Sequence, residues 1–243
     1  MRLSEHLVDS GDMLFRWRSY VPLVLLPLLL LPMWLAPHPP VSLWWKLVAA
    51  GVALAGEALR FVASGLAPEG TSERSTTGPR AAVLNMSGIY SVVRHPLYIA
   101  NTMTMVGLAM FPGRWALPVI VLLASILYYE RIAMREEAFL DSQFGTSFRE
   151  FTKRVPAVIP RFSNYTPSTR AFSLMRALER EFNGILAIAA SLYLLDLVEA
   201  SSRSKTIEHV NAVWTWFLIG ATALFVLMVL RKQVRARSAQ PAT

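Results

Sequence analysis

The strongest constraint on this chain is a series of apolar blocks separated by charged or turn-forming residues. They cover about residues 14–36, 43–64, 96–111, 115–129, 183–199 and 211–230. A hydrocarbon core about 30 Å thick calls for roughly 20 helical residues. Blocks of this length predict an all-α, polytopic membrane bundle of about six transmembrane helices. The block at 183–199 is short and ends near Asp196 and Glu199. Composition agrees: 54% of the 243 residues are apolar and 16% charged, against about a quarter charged in soluble domains.

The boundaries carry their own signals. Arg16-Trp17-Arg18-Ser19-Tyr20 and Trp44-Trp45-Lys46 are interfacial anchors. Residues 1–13 suit a short interfacial helix. Pro22, Pro27 and Pro32 predict kinks in the first span, and Pro37-His38-Pro39-Pro40 ends it. Pro112-Gly113-Arg114 makes the third and fourth spans an antiparallel hairpin. After the fourth span a charged helix is predicted over about 130–152, and an amphipathic surface segment over about 167–182. Residues 65–87 are polar, either a plain connection or a headgroup contact through Arg74 and Arg80. Glu57 and Arg60, spaced i, i+3, form an ion pair inside the second span or reach a headgroup pocket.

Positive charge sets the orientation. With six spans and both termini cytoplasmic, Arg2, Arg16, Arg18, Arg74, Arg80, Arg94, nine cations between 131 and 180, and Arg231 to Arg237 share the cytoplasmic side. Lys46, Arg114, Arg203 and Lys205 are left opposite. The positive-inside bias therefore predicts a multi-pass protein with both termini inside. The same bias explains the net charge of +8 through anionic lipid, and argues against a nucleic-acid partner. There is no cysteine, and His6, His38, His95 and His209 are dispersed, so no metal site is predicted. The N-terminus shows no signal-peptide cleavage pattern, so its first apolar block is predicted to be retained as a membrane helix.

Two polar stretches fall on the predicted cytoplasmic side. The first is Gly88-Ile89-Tyr90-Ser91-Val92-Val93-Arg94-His95-Pro96-Leu97-Tyr98-Ile99-Ala100-Asn101. Pro96 suits the first turn of a helix, and His95, Tyr98 and Thr102 then share one face. The second runs from Arg131 through Arg135, Glu136, Glu137, Leu140, Phe144-Gly145, Phe148 and Phe151 to Lys153-Arg154-Val155-Pro156. In this order the two resemble the isoprenylcysteine carboxyl methyltransferase and phospholipid methyltransferase superfamily. Its pattern is G-x-Y-x-x-x-R-H-P-x-Y, then E-E-x-x-L-x-x-x-F-G-x-x-Y-x-x-Y, then K-R-V-P. The likeness covers roughly residues 50–162. Phe148 and Phe151 stand where the family usually has tyrosines, and Ala100 where it usually has glycine.

The resemblance implies S-adenosylmethionine as cofactor, held by the membrane helices and a cytosolic capping helix. It divides the chain into an N-terminal segment (1–42), a methyltransferase core (43–162) and a C-terminal helical pair with a basic tail (163–243). It also makes His95 and Tyr98 cofactor contacts. Glu136 and Glu137 diverge by about 100° on a helix, so one is expected to face the site while the other pairs with Arg131 or Arg135 or faces water. A carboxylate suits ribose hydroxyls or an ammonium, Phe148 an adenine wall, and Arg154 the cofactor's carboxylate. Arg131 and Glu137 are the catalytic candidates; Arg60, Arg94 and Arg131 are the candidates for the acceptor. An anionic, lipid-attached acceptor, a prenylcysteine-like carboxylate or a lipid phosphate, needs no strong base and is favoured over a phospholipid amine. Two other classes stay open: a membrane reductase using NADPH, and a non-enzymatic transport or assembly protein. Nothing in the pattern specifies an oligomer.

Overall fold

The computed structural model describes residues 3–17, 20–36, 39–66, 83–204 and 209–238. These form α1 (Leu3–Trp17), α2 (Val21–Leu35), α3 (Leu43–Leu66), α4 (Pro96–Met110), α5 (Ala116–Phe144), α6 (Thr146–Arg154), α7 (Leu174–Ser204) and α8 (Ala212–Ser238). Among the described residues no strand forms beyond one isolated bridge, Gly88 to Thr166. Arg74, Arg80, Lys205 and most of the polar loop lie outside the described residues.

Four helices, α3, α5, α7 and α8, are long and apolar enough to cross a membrane. The other two predicted spans are shorter, 15 residues each for α2 and α4, or about 22 Å of helix. The first apolar block does not begin at Leu14: residues 14–17 complete α1, and a new helix starts behind Tyr20. Pro22 falls in the first turn of α2, where its missing N–H leaves no bond unmade. Pro27 and Pro32 stay inside α2. Rather than lying alone at the interface, α1 packs along α5, where Tyr128 donates to the Leu14 carbonyl (2.9 Å) and Arg135 to Asp12 (2.7 Å).

The helices stack in the order α1, α5, α4, α3, α7, α8, with α2 against α7. Helices α3 and α4 cross at close range. A Cβ built on Gly107 would lie 2.4 Å from the backbone nitrogen of Ala53 and 2.8 Å from the carbonyl of Ala49. Small residues at such a crossing let backbones meet where lipid gives no hydrophobic drive for association. Leu29, Phe111, Leu192 and Leu195 are fully buried in the main core around this contact.

The charged helix predicted over 130–152 is divided: its part up to Phe144 continues the fourth span as α5, which ends at Gly145 with φ +50°, and the rest is the separate α6. The polar residues of α5 continue the helix because the bundle partners them, Arg135 through α1 and the glutamates through the motif stretch. Likewise residues 174–182 are the first turns of α7 and not a separate surface segment. Arg176 caps the carbonyl of Gly65 at the end of α3 (3.1 Å), and Glu179 takes Arg231 (3.2 Å) and Arg235 (2.9 Å) from α8. The chain beginning at α1 and the end of α8 therefore sit at the same end of the bundle as the motif stretches.

The opposite end is tied by a buried ion cluster. Lys46 meets Asp196 at 2.5 Å and Glu199 at 2.8 Å, while Asp196 also accepts from the Asn211 amide (2.8 Å) and Glu199 from the Val41 amide (3.0 Å).

Candidate functional site

The two motif stretches converge on one cleft. Gly88 opens the first with φ +61°, a conformation that side chains other than glycine's resist. Its amide donates to Thr166 (2.8 Å), while Ser91 Oγ donates to its carbonyl (2.6 Å) and accepts from the Thr166 amide (2.8 Å). His95 is then the N-cap of α4 and Pro96 its first residue, as the sequence predicts.

Arg94 joins the stretches. Its backbone amide donates to Pro156 (2.9 Å), and Nη1 donates to the carbonyls of Val155 (2.6 Å) and Thr152 (3.2 Å) at the end of α6. A guanidinium there satisfies helix-terminal carbonyls that lack partners of their own. The rest of its fork grips Glu137, Nε to Oε1 at 2.9 Å and Nη2 to Oε2 at 3.3 Å.

His95 sits between the two glutamates. Nε2 lies 2.8 Å from Glu137 Oε1, and Nδ1 lies 3.6 Å from Glu136 Oε2. The expectation that only one of the pair faces the site is therefore corrected. Side chains that diverge by about 100° are bridged by a ring whose nitrogens point to opposite sides. Arg135, a partner foreseen for the second carboxylate, pairs with Asp12 instead. Tyr98 donates its hydroxyl to Glu136 (2.7 Å), stacks on His95 at 5.4 Å and stacks on Tyr129 at 4.9 Å. Burial alone would push the His95 imidazole down, but the bonds to Glu136 and Glu137 outweigh it and raise its pKa to about 9.

Tyr90, Leu84 and Leu140 line the cleft with these polar groups, and α6 closes it with Phe148 and Phe151. Phe148, Phe151 and Val155 are buried against Leu84, Leu140 and Phe144 as a second small core. The space enclosed is about 130 Å³. Burial raises the Tyr90 phenol above its ordinary pKa, so it stays neutral.

Of the predicted residues, Arg94, His95, Tyr98, Glu136, Glu137 and Phe148 are brought together. Arg154 is exposed at the end of α6, outside the cleft lining. Arg131 donates to the Leu127 carbonyl of its own helix (2.6 Å) and also lies outside. Arg60 belongs to a neighbouring buried cluster. It meets Glu181 at 2.8 Å and Asn101 at 2.5 Å, with Glu57 farther off at 3.6 Å. Ser64 donates to Glu181 as well. Glu181 and Tyr90 were not singled out from sequence. Glu181 falls in the amphipathic run of 174–182, where a helical wheel extended into the following apolar block places it on the buried side with Ala177 and Gly184. Ala100 is buried and outside the cleft lining, so it does not narrow the cavity.

Fold and site together define a helical, multi-pass membrane protein with a charged, aromatic-walled cleft at one end of its bundle. Residues 48–147 match the model of the phospholipid methyltransferase family, which bears out the resemblance carried by the motifs. The protein-S-isoprenylcysteine O-methyltransferase of Schizosaccharomyces pombe is 33% identical over 78 residues, 32% of this chain and 33% of that protein. The cobalt-zinc-cadmium resistance protein CzcN of Cupriavidus metallidurans is 37% identical over 89 residues, 37% of this chain and 41% of its own. The nickel-cobalt-cadmium resistance protein NccN of Alcaligenes xylosoxydans xylosoxydans is 26% identical over 129 residues, 53% and 60%. The matched segments thus span from a third to three-fifths of these relatives. No solved structure matches the chain.

Proposed function

We propose that this chain is an integral membrane methyltransferase that uses S-adenosylmethionine to methylate an anionic group on a lipid-attached acceptor. The observation that carries the reading is the His95–Glu137–Arg94 cluster, set beside Tyr98–Glu136 inside the segment that matches the family.

The donor set fits the cofactor chemically. Glu136 and Glu137 offer acceptors for ribose hydroxyls and an ammonium, Arg94 offers a positive charge for a carboxylate, and Phe148 and Phe151 offer an apolar wall for a purine. The enclosed volume, about 130 Å³, falls short of the about 300 Å³ at which ligand pockets begin. An open hollow of about 560 Å³ adjoins it and shares Arg94, Glu137 and Phe148 as lining. Arg154 at the end of α6 remains a proposed contact for the cofactor's carboxylate, and Arg131 and Arg60 for the acceptor. Bound S-adenosylmethionine supplies a methyl group made electrophilic by its sulfonium.

The protein's own part is to orient and to exclude water. Both nitrogens of His95 face carboxylate oxygens, and the ring is charged at neutral pH, so it holds no lone pair for a substrate proton. An acceptor that is already anionic needs none; a protonated amine does. The positive ends of the structure match the sequence bias, so we place the cleft end and both termini in the cytoplasm. Helices α2 and α4 then complete six passes with their flanking segments.

The test is transfer of labelled methyl in proteoliposomes containing lipid extract. The reading predicts label in the lipid phase, released by mild base where a carboxylate is the acceptor, and lost in Glu137→Gln. Label found only on an amine headgroup would overturn the anionic acceptor.

A further inference from the structure

Four large side chains stand out of the connector between α6 and α7. Val158 is 64% exposed, Ile159 81%, Phe162 78% and Tyr165 59%. Single exposed apolar residues are ordinary, but a contiguous group rimmed by polar residues marks a surface that meets something.

This connector is a built element. Arg94 N–H donates to Pro156 (2.9 Å), Arg161 N–H to Val92 (3.0 Å), Asn164 Nδ2 to the Arg154 carbonyl (2.7 Å) and Ser173 N–H to Gly65 (3.1 Å). Pinned at both ends and in the middle, it cannot fold its apolar tip back into the bundle, and the tip projects outward. Charge names the occupant. From Phe151 to Leu178 the chain carries Lys153, Arg154, Arg161, Arg170 and Arg176 and no acidic residue. Lys153, Arg154, Arg161 and Arg170 are exposed. The connector also runs straight into α7, whose helix is apolar enough to cross a membrane. Phe172 and Leu174, where it enters, are themselves exposed.

We propose that residues 156–165 are a membrane-surface anchor whose apolar tip enters an anionic leaflet while the flanking cations meet its headgroups. The anchor holds α6, the wall of the cleft, against the lipid surface. It does not depend on the reaction assigned to the cleft.

The chain contains no cysteine, so single-cysteine variants report one position each. Spin labels at Ile159→Cys and Phe162→Cys are read in vesicles of phosphatidylcholine with phosphatidylglycerol. Glu150→Cys serves as the aqueous reference and Ile126→Cys on the exposed face of α5 as the lipid reference. The anchor predicts oxygen accessibility well above that of a water-soluble nickel relaxant at 159 and 162, at a depth of about 5–10 Å. Arg161→Glu with Arg170→Glu is predicted to return both labels toward the aqueous reference. Labels at 159 and 162 as open to nickel as at 150 would overturn the proposal. Labels shielded from both relaxants would overturn it too, in favour of a protein partner. Far-ultraviolet dichroism of each variant confirms that the bundle is folded.

Discussion

His95 keeps its proton because it is buried between two carboxylates and has no third role open to it. Its pKa is raised from 6.5 to about 9, so the stabilisation is fully present below about pH 6.5 and is lost as pH rises through 9. Thermal unfolding in detergent is predicted to lose at most about 3 kcal/mol across that window, with the slope reduced in His95→Asn. An equal slope in both proteins would contradict the assignment. Tyr98→Phe removes one hydroxyl from Glu136 while the stack on His95 and Tyr129 remains. It is predicted to weaken cofactor binding about five- to tenfold, near 1 kcal/mol, with an unchanged dichroism spectrum. The pairing of Tyr98 and His95 on one face was legible from the i, i+3 spacing. The use of both glutamates was not, because spacing on α5 says nothing of a ring from α4 that bridges the angle between them.

At the level of elements, the close crossing of α3 and α4 was invisible to hydropathy. Glycines inside apolar blocks look alike in sequence, yet Gly107 abuts the α3 backbone while a Cβ on Gly51 meets nothing within 4 Å. Gly107→Ala is predicted to lower stability by about 2 kcal/mol or more through backbone displacement, and Gly51→Ala to be neutral or stabilising by up to about 1 kcal/mol. Denaturation in a fixed detergent compares the two, and equal effects would contradict the crossing. Helix lengths were misjudged for a related reason. Charged residues at 130–144 and 174–182 read as exits from the membrane, but Asp12, Arg60, Arg231 and Arg235 come from other helices to partner them. Such partners are long-range and leave no local signal.

Across the molecule, charge separates the two ends of the bundle. The cleft end holds the motif stretches and most cations, and the far end is held by Lys46 with Asp196 and Glu199. Lys46→Met would leave buried Asp196 without its cation, while Glu199 keeps Arg203 (3.1 Å), and is predicted to cost about 3 kcal/mol, measured by unfolding in detergent. That the chain is a membrane bundle with a motif cleft was readable because apolar blocks and contiguous motifs are local patterns. Which arginine enters the cleft was readable only in part, since Arg94 is fixed by the carbonyls of α6, which a motif does not display. The central claim is that this cleft holds S-adenosylmethionine. Calorimetry on the detergent-purified protein tests it most directly, with His95→Ala, Glu137→Ala and NADPH alongside. Micromolar binding to the wild type, abolished in both folded variants and unaffected by NADPH, is the predicted result. No binding to the wild type, or binding of NADPH in its place, would contradict it.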